Sequence, residues 1–572
     1  MIDELVARPG RVAVARRTDL AARGEPMTWL LGGALALGCT MIVGFLLLVL
    51  WNGIVTFWPK PIQVVTLSNG QVVAGEPFRR EEYRPSAGQM EALSPARRAE
   101  VAAAGGLAAR TLYRTGNFDI YNEDFRWVSD FDVARVDEPR DIVFVERLEW
   151  GAFIGRIAAV DLAGTKLAGD SLDRRRLAAA HAEARARWAR IREIEHDEIG
   201  AVNHATEQDR LRVRRAVLAA GEASPEAAAM RAEVAARAEQ LKRSYETLAA
   251  EAQRLKAEND RYRVTLEEIG GRAKTLRLSD LVRFYAANEL GVLDKLAVYL
   301  SRWHEFLTDS PREANTEGGV LPAIFGTAAM TLLMVLVVAP FGVITALYLR
   351  EYARQGRLVS IVRISVNNLA GVPSIVYGVF GLGFFAYILG GSIDRMFFPE
   401  RLPSPTFGTG GLLWASLTLA LLTVPVVIVA TEEALAAVPR SMREGSLACG
   451  ASKWQTIRYI VLPRAMPGIM TGLILAMARG AGEVAPLMLV GVVKLAPELP
   501  VDGYFPFVHL ERSFMHLGFH IFDVGFQSRN SEAGKPMVFV TTLLLIALIA
   551  GMNAAAIAVR NRLKRRFAGS QF

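Results

Sequence analysis

The chain has 572 residues, of which 52% are hydrophobic and 22% are charged, and its formal net charge is +8. This composition excludes a disordered protein and argues against a wholly soluble one. The charged residues are concentrated in the first half, whereas the second half contains long uncharged runs, so we predict a membrane protein with a large aqueous insert. The two cysteines, Cys39 and Cys449, are too few for a disulfide framework or a thiolate metal site. In a membrane protein the surplus of Lys and Arg serves topology and contact with membrane lipids, so no nucleic-acid partner is predicted.

Six apolar runs are long enough to cross a bilayer, which requires about 20 such residues. Five of them carry no charge and lie at 27–51, 320–349, 364–393, 411–430 and 537–559. The sixth, 466–493, is interrupted only by Arg479 and Glu483. The first run is too long for a signal peptide and lacks a clear cleavage site, so we predict a retained anchor. The predicted fold class is an all-α polytopic membrane protein with six transmembrane helices.

Basic residues indicate which connections are cytoplasmic. Arg and Lys cluster in 1–26, after the second span, in the loop 431–465 and after the last span, whereas 394–410 and 494–536 carry fewer. By the positive-inside rule the basic segments are cytoplasmic. We therefore expect both termini in the cytoplasm and residues 52–319 outside it.

The insert 52–319 divides by composition into three parts. Residues 61–160 carry short alternating or β-branched runs between turn signals, which predicts a β-rich module. Residues 171–267 are rich in Ala, Glu, Arg, Lys and Leu with a break at 221–225, which predicts an antiparallel helical hairpin. Residues 279–307 are amphipathic and aromatic, which predicts a helix that either lies on the outer leaflet or packs on the insert's own core.

The second arm of the hairpin carries a heptad pattern typical of a coiled coil. Its core positions run from Val234 through Asn259 and Tyr262 to Leu266, and Asn259 would set the register. At 1.5 Å per residue such arms reach on the order of 60 Å, which is enough to project well beyond the membrane. Two interpretations remain open, a docking arm for a periplasmic partner and a solvated spacer.

The loop 431–465 carries a spaced motif. Glu444, Gly445 and Ser446 are followed after three residues by Gly450, and nine residues later by Ile460, Val461, Leu462 and Pro463. This spacing resembles the cytoplasmic EAA loop of binding-protein-dependent ABC importer permeases, with Gly445 and Ser446 in place of two alanines. Two short helices joined at a flexible Gly450 would present Trp454, Ile457, Lys453 and Arg458 to a partner. The resemblance implies an ATPase partner and coupling roles for Glu444, Gly445, Ser446, Gly450, Ala451, Trp454, Ile460, Leu462 and Pro463.

Flanking motifs narrow the resemblance. The segments 371–378 (GVPSIVYG), 467–472 (PGIMTG) and 479–487 (RGAGEVAPL) are similar to PstA-type permeases of phosphate importers, over about 320–566. That family usually has a threonine where Val484 stands, so any role of its hydroxyl is absent. The resemblance implies a PstC-type second permease, a homodimeric PstB-type ATPase and a periplasmic phosphate-binding protein, all at the bacterial inner membrane. It implies no cofactor on this chain, because ATP and Mg are used by the ATPase, and it says nothing of the insert 52–319.

Arg479 and Glu483 are the charged residues predicted inside the bilayer, where each costs at least about 2.5 kcal/mol. Their spacing would place them on one face of a helix, where they can pair. Either Arg479 binds an anion in transit while Glu483 positions and releases it, or the two form a structural ion pair. The resemblance supports the first interpretation, because an Arg and a Glu at the matched positions are implicated in translocation. A guanidinium suits phosphate but does not exclude sulfate, molybdate or phosphonate.

Two other features of the sequence concern nucleotide and metal binding. The sequence contains no phosphate-binding loop of the Walker type, so the chain is not predicted to be an enzyme by itself. His516, His520 and Asp523 have metal-like spacing, but the aromatic stretch favours an amphipathic surface helix and no metal site. The predicted function is therefore an ABC importer permease that moves phosphate by alternating access. The alternatives are a permease for another oxyanion and a non-transporting sensor or scaffold built on the coiled coil.

Overall fold

The computed structural model describes residues 26–169, 173–312, 315–496, 498–528 and 531–568, so residues 1–25 of the predicted cytoplasmic N-terminus lie outside the described part. The chain divides into two compact units, Met1–Asn52 and Gly53–Phe572. In the first unit the described residues belong to a helix, α1 (Pro26–Val55), whose side chains are mostly apolar and exposed. This helix overlaps the predicted anchor 27–51.

The second unit begins with two antiparallel sheets. Its first eight strands are β1 (Gln63–Leu67), β2 (Val72–Tyr83), β3 (Ala108–Arg114), β4 (Phe125–Ser129), β5 (Val133–Asp137), β6 (Val143–Arg147), β7 (Phe153–Leu162) and β8 (Thr165–Ala168). Three short helices, α2 (Ala87–Ala92), α3 (Pro95–Ala103) and α4 (Phe118–Tyr121), connect them. One sheet has the order β4-β3-β2-β1-β5.

The helical hairpin leaves this module after β8. Its first arm consists of α5 (Arg174–Glu193), a π-helical turn (Ile194–Glu198) and α6 (Ile199–Ala220), and its second arm is α7 (Pro225–Asn259). Ser224 caps α7, because its Oγ accepts a hydrogen bond from the N–H of Ala227 at 3.1 Å. The predicted heptad pattern is too long, because α7 ends at Asn259, and Tyr262 and Leu266 lie in a strand instead.

The β-rich module also continues beyond the predicted limit of residue 160. Strands β9 (Tyr262–Glu267), β10 (Ala273–Arg277) and β11 (Leu281–Tyr285) follow the hairpin and complete a second sheet, with the order β10-β9-β7-β6-β11 and β8 beside β7. Strand β6 is buried along its whole length. Val143 and Val145 pack towards α5, and Phe144, which points to the opposite face, packs towards the first sheet.

The predicted helix over 279–307 is wrong in its first part. Residues up to Tyr285 form β11, which pairs with β6, and the helix α8 covers Val292–Thr308. Pairing with a distant strand outweighs the local helical pattern. In α8, Phe306 is buried against Phe57, whereas Leu293 and Leu300 are exposed. One face of α8 thus packs on the protein, while the other leaves apolar side chains uncovered.

Two short strands, β12 (Pro311–Arg312) and β13 (Glu317–Gly318), lead into the helical bundle. Its helices are α9 (Leu321–Leu347), α10 (Arg357–Leu369), α11 (Ser374–Phe380), α12 (Gly391–Phe397), α13 (Leu412–Ala436), α14 (Arg440–Ala448), α15 (Lys453–Thr456), α16 (Leu462–Gly482), α17 (Ala485–Val490), α18 (Leu517–Phe522) and α19 (Ser531–Ala568). The π-helical segments Tyr348–Tyr352, Gly381–Gly390, Ile457–Val461 and Asp523–Gln527 extend or join several of them. Close packing depends on small residues, such as Gly472 of α16, where a Cβ would come within 2.4 Å of the Ala430 Cβ on α13.

Six helices in the described residues are long and apolar enough to cross a membrane, as the sequence predicts. They cover Trp29–Val55, Leu321–Tyr352, Ser374–Phe397, Leu412–Ala436, Lys453–Gly482 and Gly534–Arg565. The predicted span 364–393 is wrong as a continuous helix, because Pro373 lacks an N–H donor and separates α10 from α11. The predicted span 466–493 is also interrupted, because α16 ends at Gly482.

The connections of the bundle lie on two opposite sides. The insert side includes the loops 398–411 and 491–528: Arg215 of α6 forms a salt bridge with Glu400 (Nε to Oε1 3.2 Å), and the rings of His204 and Tyr504 stack at 4.2 Å. The first arm of the hairpin thus contacts these loops through α6, and the projection of the arms beyond the membrane stays a prediction. The opposite side carries α14 within the loop 431–465, for which the sequence predicts a coupling role; we call this loop the coupling loop and this side the coupling-loop side.

Candidate functional site

Two helix breaks that are far apart in the sequence meet inside the bundle. The stretch that begins with α11 starts after a proline, and α17 starts shortly after α16 ends. Gly378 of α11 lies against Pro486 of α17, so that a Cβ added to Gly378 would come within 2.7 Å of the Pro486 Cα. Glycine permits this approach because a larger side chain would displace the facing backbone. The motifs 371–378 and 479–487 therefore form one site.

The break before α11 lies about halfway along the bundle. On one side of it, Arg363 of α10 forms a salt bridge with Glu432 near the end of α13, with Nε 3.2 Å from Oε1. On the other side, Gly381 lies against Thr418 near the start of α13, where an added Cβ would meet the hydroxyl oxygen at 2.1 Å. The two parts thus flank opposite halves of one helix. Helices interrupted at this depth are typical of substrate sites in membrane transport proteins, because the break lets backbone groups face a cavity.

Arg479 and Glu483 lie at the second break. Arg479 is in the last turn of α16, and Glu483 follows the end of that helix with an extended backbone, so the predicted placement on one face of a continuous helix is wrong. The side chains still face each other, with Nε 3.7 Å from Oε1, and they are 37% and 22% exposed. Among the described residues, Glu483 is the only acidic group within salt-bridge distance of Arg479, and no hydrogen bond to the guanidinium is formed. Its N–H donors are therefore available to a bound anion.

Residues of two other helices border this pair. Gly480 lies against Met334 of α9, where an added Cβ would be 2.4 Å from the sulfur. Tyr377 of α11 lies within electrostatic range of Arg479. The Tyr377 hydroxyl donates a hydrogen bond to the carbonyl oxygen of Leu369 at 2.6 Å, across the break between α10 and α11. Tyr377 therefore lies between the first break and Arg479 at the second.

His516, His520 and Asp523 do not form the predicted surface helix. They are 0%, 2% and 1% exposed and belong to a buried polar cluster on the insert side. The prediction fails because an amphipathic pattern does not reveal which neighbours cover a segment. Here α9 contributes to the cover, since Thr327 Oγ1 accepts a hydrogen bond from the N–H of Leu517 at 2.9 Å.

Burial determines the charge of this cluster. It lowers the pKa of both histidines to about 4, so both rings are neutral at physiological pH. Asp523 Oδ1 lies 3.1 Å from Lys494 Nζ, and Asn315 Nδ2 donates a hydrogen bond to Asp523 Oδ2 at 2.9 Å. In the described part of the chain no three His, Cys, Asp or Glu side chains are grouped as a metal site would need. The cluster joins α18 to the loops beside it.

The loop on the coupling-loop side consists of α14, a tight turn and the start of a long helix. Gly450 has a φ of +84°, which L side chains rarely adopt. Ser452 then begins the next helix with a capping box, in which its N–H donates to Gln455 Oε1 at 2.7 Å and the Gln455 N–H donates to Ser452 Oγ at 3.2 Å. The sequence predicts a short second helix, but this helix runs from Lys453 to Gly482. The loop is therefore joined directly to the helix that carries the ion pair.

The predicted coupling residues divide into an exposed group and a packed group. The exposed ones are Glu444, Gly445, Gly450 and Trp454. The half-buried ones are Ser446, Ala451, Ile460, Leu462 and Pro463. Ser446 and Thr456 share a hydrogen bond at 2.9 Å between their hydroxyl groups, which ties α14 to α15. Ile457 is buried, so its predicted place on the presented surface is wrong, whereas Lys453 and Arg458 are exposed beside Trp454.

Sequence reasoning missed Arg443, which fixes this loop to the bundle. Its guanidinium donates to Glu351 Oε1 at 3.0 Å and to the carbonyl oxygens of Leu435 and Val438, both at 2.7 Å. Arg443 and Glu351 are 92 residues apart, and no local spacing relates them. In the sequence, only their opposite charges could have indicated that these two residues pair.

Comparison with known proteins matches the second half of the chain to a family. Residues 338–566 match the family described as binding-protein-dependent transport system inner membrane component. The phosphate transport system permease protein PstA 1 of Mycobacterium tuberculosis is 34% identical over 250 residues, which are 44% of this chain and 73% of that protein. PstA of Mycobacterium leprae is 35% identical over 262 residues, which are 44% of this chain and 74% of that protein.

Other similarities are shorter or weaker. The probable ABC transporter permease protein YqgH of Bacillus subtilis is 36% identical over 204 residues, and the match spans 62% of its length and 35% of this chain. Among solved structures, an inward-facing MetNI methionine ABC transporter covers 43% of this chain and 95% of its own, at 20% identity and a TM-score of 0.32. On the sequence matches, the chain belongs to the PstA-type permeases, which are inner membrane components of binding-protein-dependent transport systems.

Proposed function

We propose that the chain is the permease subunit that moves inorganic phosphate into the cytoplasm by alternating access. The observation that carries this proposal is the position of Arg479, whose guanidinium lies where two broken helices meet and donates no hydrogen bond to the described residues. Named relatives include phosphate transport permeases, which supports phosphate over another oxyanion. Family membership likewise does not favour a sensor or scaffold.

The chemistry of the Arg479 site suits an oxyanion. A guanidinium can bind two phosphate oxygens through parallel N–H donors, and such charged hydrogen bonds strengthen where water is excluded. Glu483, 3.7 Å away, is near enough to neutralise the empty site and to compete with the anion for Arg479. Exchange between these two partners provides both binding and release.

The coupling loop supplies the mechanical link. The helix from Lys453 to Gly482 has 30 residues, about 45 Å at 1.5 Å per residue, and joins the loop to the ion pair. A homodimeric PstB-type ATPase that contacts Trp454 and Glu444 would move this helix when it binds ATP with Mg. Hydrolysis belongs to that partner, so this chain is not an enzyme by itself and binds no cofactor of its own.

Orientation and further partners follow from the same proposal. Basic residues concentrate on the coupling-loop side, which we assign to the cytoplasm together with both termini, 1–26 included. The insert 52–319 is then periplasmic, where a phosphate-binding protein delivers substrate. A PstC-type permease completes the pathway in the inner membrane.

The test is ATP-dependent uptake of labelled phosphate by proteoliposomes that hold the full complex. Arg479→Ala is compared with Arg560→Ala, which removes a half-buried arginine of α19 that bonds to the Thr471 hydroxyl at 3.2 Å. We expect Arg479→Ala to lower uptake strongly with assembly and ATP hydrolysis retained, and Arg560→Ala to leave uptake nearly unchanged.

Competition defines the substrate. Sulfate, molybdate and phosphonate added in excess should reduce phosphate uptake only weakly. A well-assembled complex that takes up one of these anions but no phosphate would replace phosphate with that oxyanion. Uptake that is indifferent to Arg479→Ala would reduce the ion pair to a structural role.

A further inference from the structure

A cavity of about 160 Å³ lies where the insert meets the bundle. Its walls include Thr56 and Phe57, which directly follow α1, and Pro536 and Met537 at the insert-side end of α19. The cavity therefore opens at the level where apolar helices give way to the polar insert. The membrane interface lies at such a level, and aromatic residues are enriched there.

Most of the charged groups around the cavity are bound to one another. Arg302 Nη2 lies 2.6 Å from Glu146 Oε1, and Arg283 Nη2 lies 2.9 Å from Glu305 Oε2. Arg283 also contacts Glu146, and Arg312 contacts Glu305. This closed network has few donors left for a ligand, so it forms the wall of the cavity rather than its binding groups.

Glu76 differs from this network. It is 8% exposed, lines the cavity and receives no hydrogen bond to its carboxylate from the described residues. Burial raises its pKa, although Arg114, Arg302 and Lys60 oppose the shift. A buried carboxylate without a hydrogen-bond partner is costly, so a donor from a bound molecule would stabilise it.

Lys60 brings a positive charge to the cavity, opposite to that of the Glu76 carboxylate. Its ammonium makes one long hydrogen bond, 3.4 Å to the carbonyl oxygen of Pro77, and lies 5.2 Å from the ring centre of Phe78. Burial lowers its pKa, which Glu76 partly offsets. Arg114 stands beside it and uses one nitrogen to bond Glu317 at 2.8 Å. Lys60 and Arg114 thus line the same cavity as Glu76.

The overall balance of charge selects the class of ligand. The described lining contains five basic side chains and five carboxylates. A free anion would gain little from a lining that is neutral as a whole, whereas a zwitterion would meet an opposite charge at each of its ends. The apolar part of the lining, with Phe57, Phe78, Phe125 and Met537, suits a molecule that also carries hydrocarbon.

We propose that this cavity binds the headgroup of a zwitterionic aminophospholipid in the leaflet on the insert side. Lys60 and Arg114 hold the phosphate, and Glu76 accepts hydrogen bonds from the primary ammonium. A bound lipid would join the insert to the end of α19, since both line the cavity. The site is separate from Arg479 and does not depend on which anion the permease moves.

The test measures lipid retained by the purified full chain with native mass spectrometry, after incubation with vesicles of phosphatidylethanolamine, phosphatidylcholine or phosphatidylglycerol. Phosphatidylethanolamine should be retained most, because the trimethylammonium of phosphatidylcholine has no N–H donor. Glu76→Gln should weaken its retention about tenfold, the loss expected for one charged hydrogen bond. The matched control is Glu82→Gln, an exposed glutamate on the same strand β2.

Further measurements keep the outcome decisive. Lys60→Met removes the phosphate contact and leaves Glu76 in place, so it tests the site even where Glu76→Gln fails to fold, and thermal unfolding without lipid reports folding. Equal retention of phosphatidylethanolamine and phosphatidylcholine, or retention unaffected by both variants, would overturn the proposal. Displacement of the lipid by millimolar inorganic phosphate would show that free phosphate is the ligand.

Discussion

Two pairs of arginine and carboxylate show how differently the insert and the bundle use charge. In the insert, Arg147 and Asp119 are 2% and 4% exposed and meet through two hydrogen bonds of 3.1 Å. In the bundle, Arg479 and Glu483 are partly exposed and 3.7 Å apart. A closed bidentate pair has committed its donors, whereas an open pair can accept another partner. The closed pair therefore holds the fold of the insert, whereas the pair at the end of α16 leaves the donors of its guanidinium uncommitted.

The largest effect is expected from substitutions that break the open pair of Arg479 and Glu483. Arg479→Ala should lower phosphate uptake by about 100-fold, since two charged hydrogen bonds to the anion are lost. Because the pair is long and partly exposed, the melting temperature should hardly change. Arg479→Lys keeps the charge but not the planar pair of donors, so its phosphate uptake should lie between that of the parent chain and that of Arg479→Ala. A large drop in melting temperature with either variant would instead make the pair structural.

The opposite result is expected for the closed pair. Asp119→Asn leaves Arg147 and the nearby Lys274 without their buried carboxylate and should lower the free energy of unfolding by about 3–5 kcal/mol. The matched control is Asp137→Asn, which breaks an exposed pair with Arg135 and should cost less than about 1 kcal/mol. Thermal unfolding of the full chain in detergent measures both. Similar effects of the two substitutions would show that burial does not distinguish these pairs.

The closed pair also predicts a pH dependence. Burial alone would raise the pKa of Asp119, but hydrogen bonds from Arg147 and Lys274 outweigh it and hold this pKa below its ordinary value. The native state therefore binds this proton less readily than the unfolded chain, and the contribution to stability is present above the ordinary aspartate pKa of about 3.9. It is lost as the pH falls through the lower, folded value. Asp119→Asn should lack this acid-dependent loss.

A smaller effect is expected in the coupling loop. Gly450 has open space around it, so Gly450→Ala costs only the strain of a φ of +84°, about 1–2 kcal/mol. That strain should shift the turn before Lys453 and lower phosphate uptake per ATP hydrolysed severalfold. Gly551→Ala, at a helical glycine with equal space in α19, is the control and should leave the ratio unchanged. If neither variant changes the uptake per ATP hydrolysed, Gly450 has no role in coupling.

The contact between hairpin and bundle should have a weaker effect. Arg215→Ala removes the salt bridge to Glu400, which is 2% exposed, but Arg215 is 67% exposed, so water can replace the guanidinium and we expect about 1 kcal/mol. Local opening should still increase, with faster hydrogen exchange of the loop 398–411. Arg210→Ala breaks only a pair with Glu207 on the same helix and serves as the control. Equal exchange in both variants would mean that other contacts hold the hairpin.

The same contrast explains what the sequence could predict. The spans follow from apolar length, because a bilayer imposes one length on every helix. The strand that begins at Leu281 was missed because its partner β6 lies more than a hundred residues away, and a local pattern carries no record of distant pairing. At the site, the motifs identified Arg479 and Gly378, but not the helix end at Gly482 that separates Arg479 from Glu483. The burial of His516 depends on α9 and had no local signal.

The smallest expected effect is the pH dependence that Glu76 gives to stability. Its sign is opposite to that of the ion pairs of the insert. Burial raises the pKa of Glu76, so the native state holds this proton to a higher pH than the unfolded chain. Its contribution to stability is fully present below the ordinary glutamate pKa of about 4.3 and is lost as the pH rises through the folded value. In lipid-free detergent, Glu76→Gln should therefore be at least as stable as the parent chain at pH 7.

The contribution of Glu146 to stability changes with pH in the opposite direction, because Arg302 and Arg283 outweigh its burial and lower its pKa. The total pH dependence of the chain mixes both signs, so the informative quantity is the difference between Glu76→Gln and the parent chain across pH 4 to 8. Glu82→Gln, on the same strand but exposed, should show no such difference. If the two variants have the same slope, the neighbouring basic groups stabilise Glu76 as fully as they stabilise the paired carboxylates. A difference of the expected sign marks Glu76 as a carboxylate that the ion pairs of the insert have left available.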